Sequence, residues 1–361
     1  MKLDQLKAAK RQIIERHARP DDRKGLTMVL TTLLPIGILF YATAAAGASY
    51  WLTAATVLVT ALFLVRAFVL MHECGHGSLF RSGRLNRTLG FVLGVVTGMP
   101  QYVWARHHQH HHATNGNWDR YRGPLNIIRV DEYEALTFAQ KRRYRSARSI
   151  WMAPLAGLMY VIVNPRLNWL LGSFALLWHV ARGKVRQPGR SRAALASEFI
   201  SPHWSNAKEY RHMCWNNCAL LALWAAMSWL GGSGFFVACY VVSASLAGGA
   251  GIVLFAVQHN FDQAYASGDA GWDHDRAVLD GTSLLVLPAW LNWFTANIRY
   301  HHVHHLSARI PSYCLVACHD EFAHLFVGVR RIGLAQVPAA LRCVLWDVRG
   351  ARIVSVAHAR P

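Results

Sequence analysis

Charge is missing from long parts of this 361-residue chain. No Asp, Glu, Lys or Arg occurs from Leu26 to Val65 or from Trp215 to Phe261. Acidic residues are scarce everywhere, 19 against 38 Lys and Arg, so the net charge is +19. Cysteine is sparse and odd in number, seven, with no Cys-x-x-Cys pair. That excludes a disulfide framework and a rubredoxin-type site. The His-Pro-Gly-Gly run of a cytochrome b5-like domain is absent too. The first 25 residues lack an apolar core, so a cleavable signal peptide is not expected.

What is present is apolar: 53% hydrophobic residues and a mean hydropathy of +0.17. A membrane helix needs about 20 apolar residues, so each uncharged run is long enough for two spans. Small residues interrupt both runs, Gly47-Ala48-Ser49 and Gly231-Gly232-Ser233-Gly234. The expected fold is an all-α integral membrane protein. Its four spans form two hairpins, 26–46 with 51–71 and 213–231 with 235–257. A cytosolic helical cap holds a His-rich dimetal site. The expected regions are a basic N-terminal segment 1–25, hairpins 26–71 and 213–257, and cap segments 72–212 and 258–361. Together they make one domain.

Lys2, Lys7, Lys10, Arg11, Arg16, Arg19, Arg23 and Lys24 precede the first span, and "KRRYRSAR" and "RGKVRQPGRSR" lie in the middle segment. The positive-inside rule puts these parts, both termini and the site in the cytosol. Arg66 is expected to snorkel to the interface. The shorter apolar runs 88–105, 150–181 and 281–298 read as interfacial or buried helices. The excess positive charge marks anionic lipid and an acidic soluble partner, with no nucleic acid expected.

Histidine is abundant, 20 residues, and clustered. "HECGH" at 72–76 places His72 and His76 one turn apart. "HHQHHH" at 107–112 and "HHVHH" at 301–305 share the spacing His-x-x-His-His. On a helix, His108, His111 and His112 fall within an arc of about 100°, as do His301, His304 and His305. His107, His110 and His302 point elsewhere. Random order would give roughly 0.06 such patterns in this chain. The eight phased histidines are therefore candidate metal ligands. One ion takes about four, so two ions are the economical count. Imidazole suits iron, zinc, copper and nickel alike. His17, His179, His203, His319, His324 and His358 read as ordinary surface or core residues.

With "HECGHGSLF", "HHQHHHATNGNWD", "VQHNFDQAY", "WFTANI" and "NIRYHHVHHLSARIPSY" in this order, the chain resembles the membrane fatty acid desaturase family, its bacterial acyl-lipid members above all. The resemblance covers roughly 66–130 and 250–315 in detail. It implies two irons, with O2 as co-substrate and no haem or flavin in this chain. The implied ligands are the eight phased histidines and His259. The family's water-mediated Asn, one turn before that histidine, is here Phe255; Gln258 or Asn297 could substitute. Glu73 stands where close relatives carry Asp, and Asp119 and Asp262 are further candidates for orienting imidazoles. The implied reaction removes two hydrogens from neighbouring methylenes and yields a double bond and water. The substrate is an acyl group on lipid, CoA or carrier protein. The electrons come from a separate ferredoxin or flavoprotein, in a bacterial inner membrane.

Other readings remain. "HECGH" is formally a zinc-protease motif, with Asp280 of Leu279-Asp280-Gly281 as third ligand. The soluble diiron bundle with Glu-x-x-His motifs is a second. A metal transporter would need ionisable residues within the spans. The same site could also hydroxylate, form an acetylene or oxidise a carotenoid.

Overall fold

The computed structural model describes residues 2–45, 49–123 and 125–358, so the break expected at Gly47-Ala48 lies outside the described residues. The main helices are α1 (Lys2–His17), α2 (Asp22–Ala45), α3 (Tyr50–His76), α4 (Gly83–Thr97) and α5 (Gln101–Ala113). Then follow α6, a continuous helical segment over Ile150–Arg186, α7 (Ala207–Leu230), α8 (Phe235–His259) and α9 (His301–Leu306).

Among the described residues four helices are long and apolar enough to cross a membrane: Asp22–Thr43, Tyr50–His76, Ile150–Arg186 and Phe235–His259. Three match the expected spans. The third expected span, 213–231, is a helix but is less apolar than these. Its Asn216 and Asn217 are buried and accept hydrogen bonds from Arg166 of α6. The 150–181 run, expected to be an interfacial or buried helix, is by length and composition one of these four. Arg166 stands within this run, and its guanidinium donates to backbone carbonyls and side-chain amides inside the protein.

Arg66 also departs from expectation. It is only 4% exposed. Its Nε donates to Thr32 Oγ1 of α2, and its guanidinium lies 3.9 Å from the Trp293 ring. A cation–π contact and a helix partner hold it inside.

The fold is mostly helical, but five short strands also occur among the described residues. Here β1 (Ile128–Arg129) runs parallel to β4 (Leu345–Asp347), which pairs antiparallel with β5 (Arg352–Val354). A parallel pair joins β2 (Ser283–Val286) and β3 (Arg330–Gly333), Ser283 opposite Arg330. The 281–298 run is thus a strand and a short helix, Ala289–Phe294, rather than one helix. Their sequence signal was weak because these strands are two to four residues long.

Packing fixes where the site can form. Gly157 of α6 meets Gly248 and Gly249 of α8 so closely that a Cβ on Gly157 would lie 2.2 Å from the Gly249 nitrogen. Only glycine permits that approach. At the other end, α1 is clipped over the third histidine box. Leu6 and Ile13 are fully buried, and Lys7, Lys10 and Arg16 pair with Asp273, Asp275 and Glu321.

Candidate metal centre

Three helix ends deliver the histidines. His72 and His76 sit in the last turns of α3, a helix long enough to cross the bilayer. Gly77, with φ 71°, then breaks it. His108, His111 and His112 close α5, and His259 is the last residue of α8. The C-terminal carbonyl ends of these helices carry negative partial charge, which favours a cation among them. The short helix α9 brings His301, His304 and His305 from the opposite side.

The nine side chains meet in two groups. His72, His76, His108, His112 and His304 form one; His111, His259, His301 and His305 form the other. Within the first, the Nε2 atoms of His72 and His108 lie 2.9 Å apart, those of His112 and His108 3.0 Å, and those of His304 and His112 3.0 Å. Within the second, His301 and His259 lie 2.8 Å apart, His305 and His301 3.1 Å, and His111 and His305 3.2 Å. Two nitrogens bound at right angles to one ion, each at about 2.1 Å, stand about 3.0 Å apart. Boxes two and three each contribute to both groups, and the rings of His112 and His305 stack at 4.3 Å between them.

The electrostatics suit ligands. Burial first, then the neighbouring imidazoles, hold His108, His111, His112, His301, His304 and His305 well below the ordinary imidazole range. They are neutral at physiological pH, with lone pairs that cannot all be satisfied by one another. A cation removes that conflict, so the donor set fits a pair of metal ions.

The three spare histidines fall outside both groups. His107 and His110 are exposed. His302 is fully buried on the far side of α9, its Nε2 2.8 Å from His319 Nδ1.

Glu73 lies beside the first group. One oxygen accepts from the Ser312 amide at 2.8 Å and from Ser78 Oγ at 3.1 Å. The other is 3.2 Å from His72 Nδ1 and 4.0 Å from His304 Nδ1. The remaining orienting candidates are turned elsewhere. Asp119 is exposed and accepts from the Asp269 amide. Asp262 is exposed and accepts from Gln263. Gln258 donates to the Ile298 carbonyl, and Asn297 to the Ser312 carbonyl. His259 instead aligns its Nδ1 on the Gly281 carbonyl at 3.3 Å. Asp280 is half-exposed and pairs with Arg276, outside both histidine groups, which removes the third ligand of the protease reading.

Aromatic rings not expected to contact the histidines complete the site. Trp104, one turn before His108, stacks on its ring at 4.6 Å. Phe255 packs on His111 at 4.8 Å and on His259 at 5.0 Å. Helical spacing from the boxes could have found both. Tyr121, 5.2 Å from His111, carried no such signal. A cavity of about 970 Å³ opens against both groups, touching His72, His108, His111 and His301. Its other walls include Leu64, Phe68, Val161, Ala247, Ile252 and Phe255.

The geometry has counterparts. Residues 48–331 match the family described as fatty acid desaturase. A fatty acid desaturase of Bacillus subtilis is 32% identical over 94% of this chain and 87% of its own length. An sn-1 oleoyl-lipid 12-desaturase of Picosynechococcus is 25% identical over 71% of this chain and 65% of its own. An sn-1 acyl-lipid omega-3 desaturase (ferredoxin) of Synechocystis is 34% identical over 24% of each chain.

Proposed function

Since the chain belongs to the fatty acid desaturase family and is an oxidoreductase, we propose that it inserts a C=C bond into a lipid-borne acyl chain, using O2 and two irons held by the nine grouped histidines. The observation that carries this is the convergence of two neutral histidine groups on one wall of a large apolar cavity. The first iron takes His72, His76, His108, His112 and His304. The second takes His111, His259, His301 and His305. Bound iron supplies O2 activation, a chemistry protein side chains do not carry.

The chain's own residues do the rest. Glu73 Oε1 lies 3.2 Å from His72 Nδ1, placed to take that N–H once His72 Nε2 is bound to metal. The Gly281 carbonyl does the same for His259. Phe255 covers both groups with an apolar ring on the cavity side, where water would compete. The cavity walls hold the acyl chain in a dry slot against the histidines.

The apolar helices act as the membrane stem, with α2 and α3 packed as one hairpin. The histidine cap and both termini face the cytosol of a bacterial inner membrane, on the basic side. Electrons arrive from a separate donor such as a ferredoxin. The ferredoxin in the name of one relative and the +19 charge of this chain support that choice,. The acyl-lipid names of two relatives support a lipid-borne substrate.

The test is metal content of the detergent-purified protein, with lipid profiles of expressing cells. Two irons per chain and a new acyl double bond are expected. One zinc per chain sinks the proposal, and a hydroxylated chain in place of an olefin moves it to the hydroxylase variant of the same site.

A further inference from the structure

The cavity wall that faces the histidines carries one polar bridge stacked directly on a grouped histidine ring. Trp104 Nε1–H donates to the Tyr160 hydroxyl at 2.8 Å, and both residues line the cavity. The bridge is tied directly to the metal-binding face. The Trp104 indole stacks on His108 with planes 15° apart, and meets His72 and Phe68 edge-on at 5.6 and 5.2 Å.

Tyr160 is placed there by an unusual backbone. It lies in a π-helical turn, Met159–Val163, inside α6. Pro165 explains the turn. It has no N–H, so the carbonyl one turn earlier, Val161, loses its helical donor. Arg166 replaces that donor, with Nη1 2.7 Å from Val161 O and 3.1 Å from Ile162 O. Its other nitrogens are pinned on Asn217 and Asn216 of α7. The glycine contact between α6 and α8 fixes the same segment from the other side, at Gly157. Tyr160 keeps 42% of its surface accessible while lining the cavity, as a wall residue does. Extra-residue turns of this kind recur at functional sites.

A chain lying in this cavity against His72 and His108 lies beside Trp104, which contacts both rings. Neither partner of the bridge can give way easily, because one is stacked on a histidine ring and the other is held from two helices. We propose that the Trp104–Tyr160 bridge selects which pair of methylenes stands at the histidine face, making Tyr160 a specificity-determining residue for the position of the double bond. This rests on the desaturase reading of the site.

The experiment compares wild type, Tyr160→Phe and Tyr160→Ala in a bacterial host fed stearic acid. Double-bond position is read by mass spectrometry of dimethyl disulfide adducts, and iron per chain is measured on each purified protein. Tyr160→Phe keeps the ring and removes only the hydroxyl, so it preserves packing. It is expected to keep its iron and to raise the ratio of minor to major positional isomer roughly fivefold, the factor one neutral hydrogen bond carries. Tyr160→Ala opens the wall and is expected to shift the ratio further. An unchanged isomer ratio in both variants, with iron retained, overturns the bridge and leaves the desaturase reading standing. A wild type that makes no new double bond overturns that reading, and the bridge with it.

Discussion

Boxes two and three carry the same His-x-x-His-His spacing, yet they dispose of their spare histidines in opposite ways. In box two, His107 and His110 are exposed, at the open edge of the cavity. In box three, His302 is fully buried, bonded to His319 and packed on the Phe326 ring at 4.8 Å. Helical phase selects the grouped face in both boxes. What lies behind that face differs. Box two ends a 13-residue helix whose back is exposed, whereas box three is a six-residue helix packed on both sides. A spare histidine is thus a surface residue in one case and part of a second core in the other.

Substitutions can break this contrast or sharpen it. The largest effect is expected from the ligand face. His304→Ala should strip metal from the five-histidine group and His111→Ala from the four-histidine group, each abolishing product; metal analysis per folded chain checks both. Full iron in either variant would dissolve the distinction between ligand and spare. Next comes Glu73→Gln, which keeps the shape and removes the charge that His72 Nδ1 faces. Iron affinity should fall about 10–100-fold, read by competition with a chelator.

A smaller, purely structural loss is expected for His302→Ala. Deleting a buried ring strands His319 and should cost about 1–3 kcal/mol in thermal unfolding, with iron per folded chain unchanged. The smallest is His107→Ala, within about 0.5 kcal/mol of wild type and with full iron. Were His107→Ala as damaging as His302→Ala, the contrast between the two boxes would be gone.

The same division between local pattern and distant partner explains what the sequence could reveal. Uncharged length exposed α2, α3 and α8, because a long apolar helix is specified within its own residues. Phase exposed the grouped histidines for the same reason. The third apolar helix was hidden by Pro165 and Arg166, whose cost is cancelled by Asn216 and Asn217 some fifty residues later. The carboxylates were the least legible. Asp119 and Asp262 looked as suitable as Glu73, but Asp119 bonds an amide 150 residues away and Asp262 faces solvent. Nothing within a few residues of a carboxylate says which backbone will reach it.

The chain order of the two groups has a consequence for biogenesis. The first group lacks His304 and the second lacks His301 and His305 until synthesis has passed residue 305. Box one and box two are made well before box three. Neither set is complete in a nascent chain until residue 305 has been made. A metal held by either set would therefore be captured by the folding together of distant segments rather than by the making of any one helix.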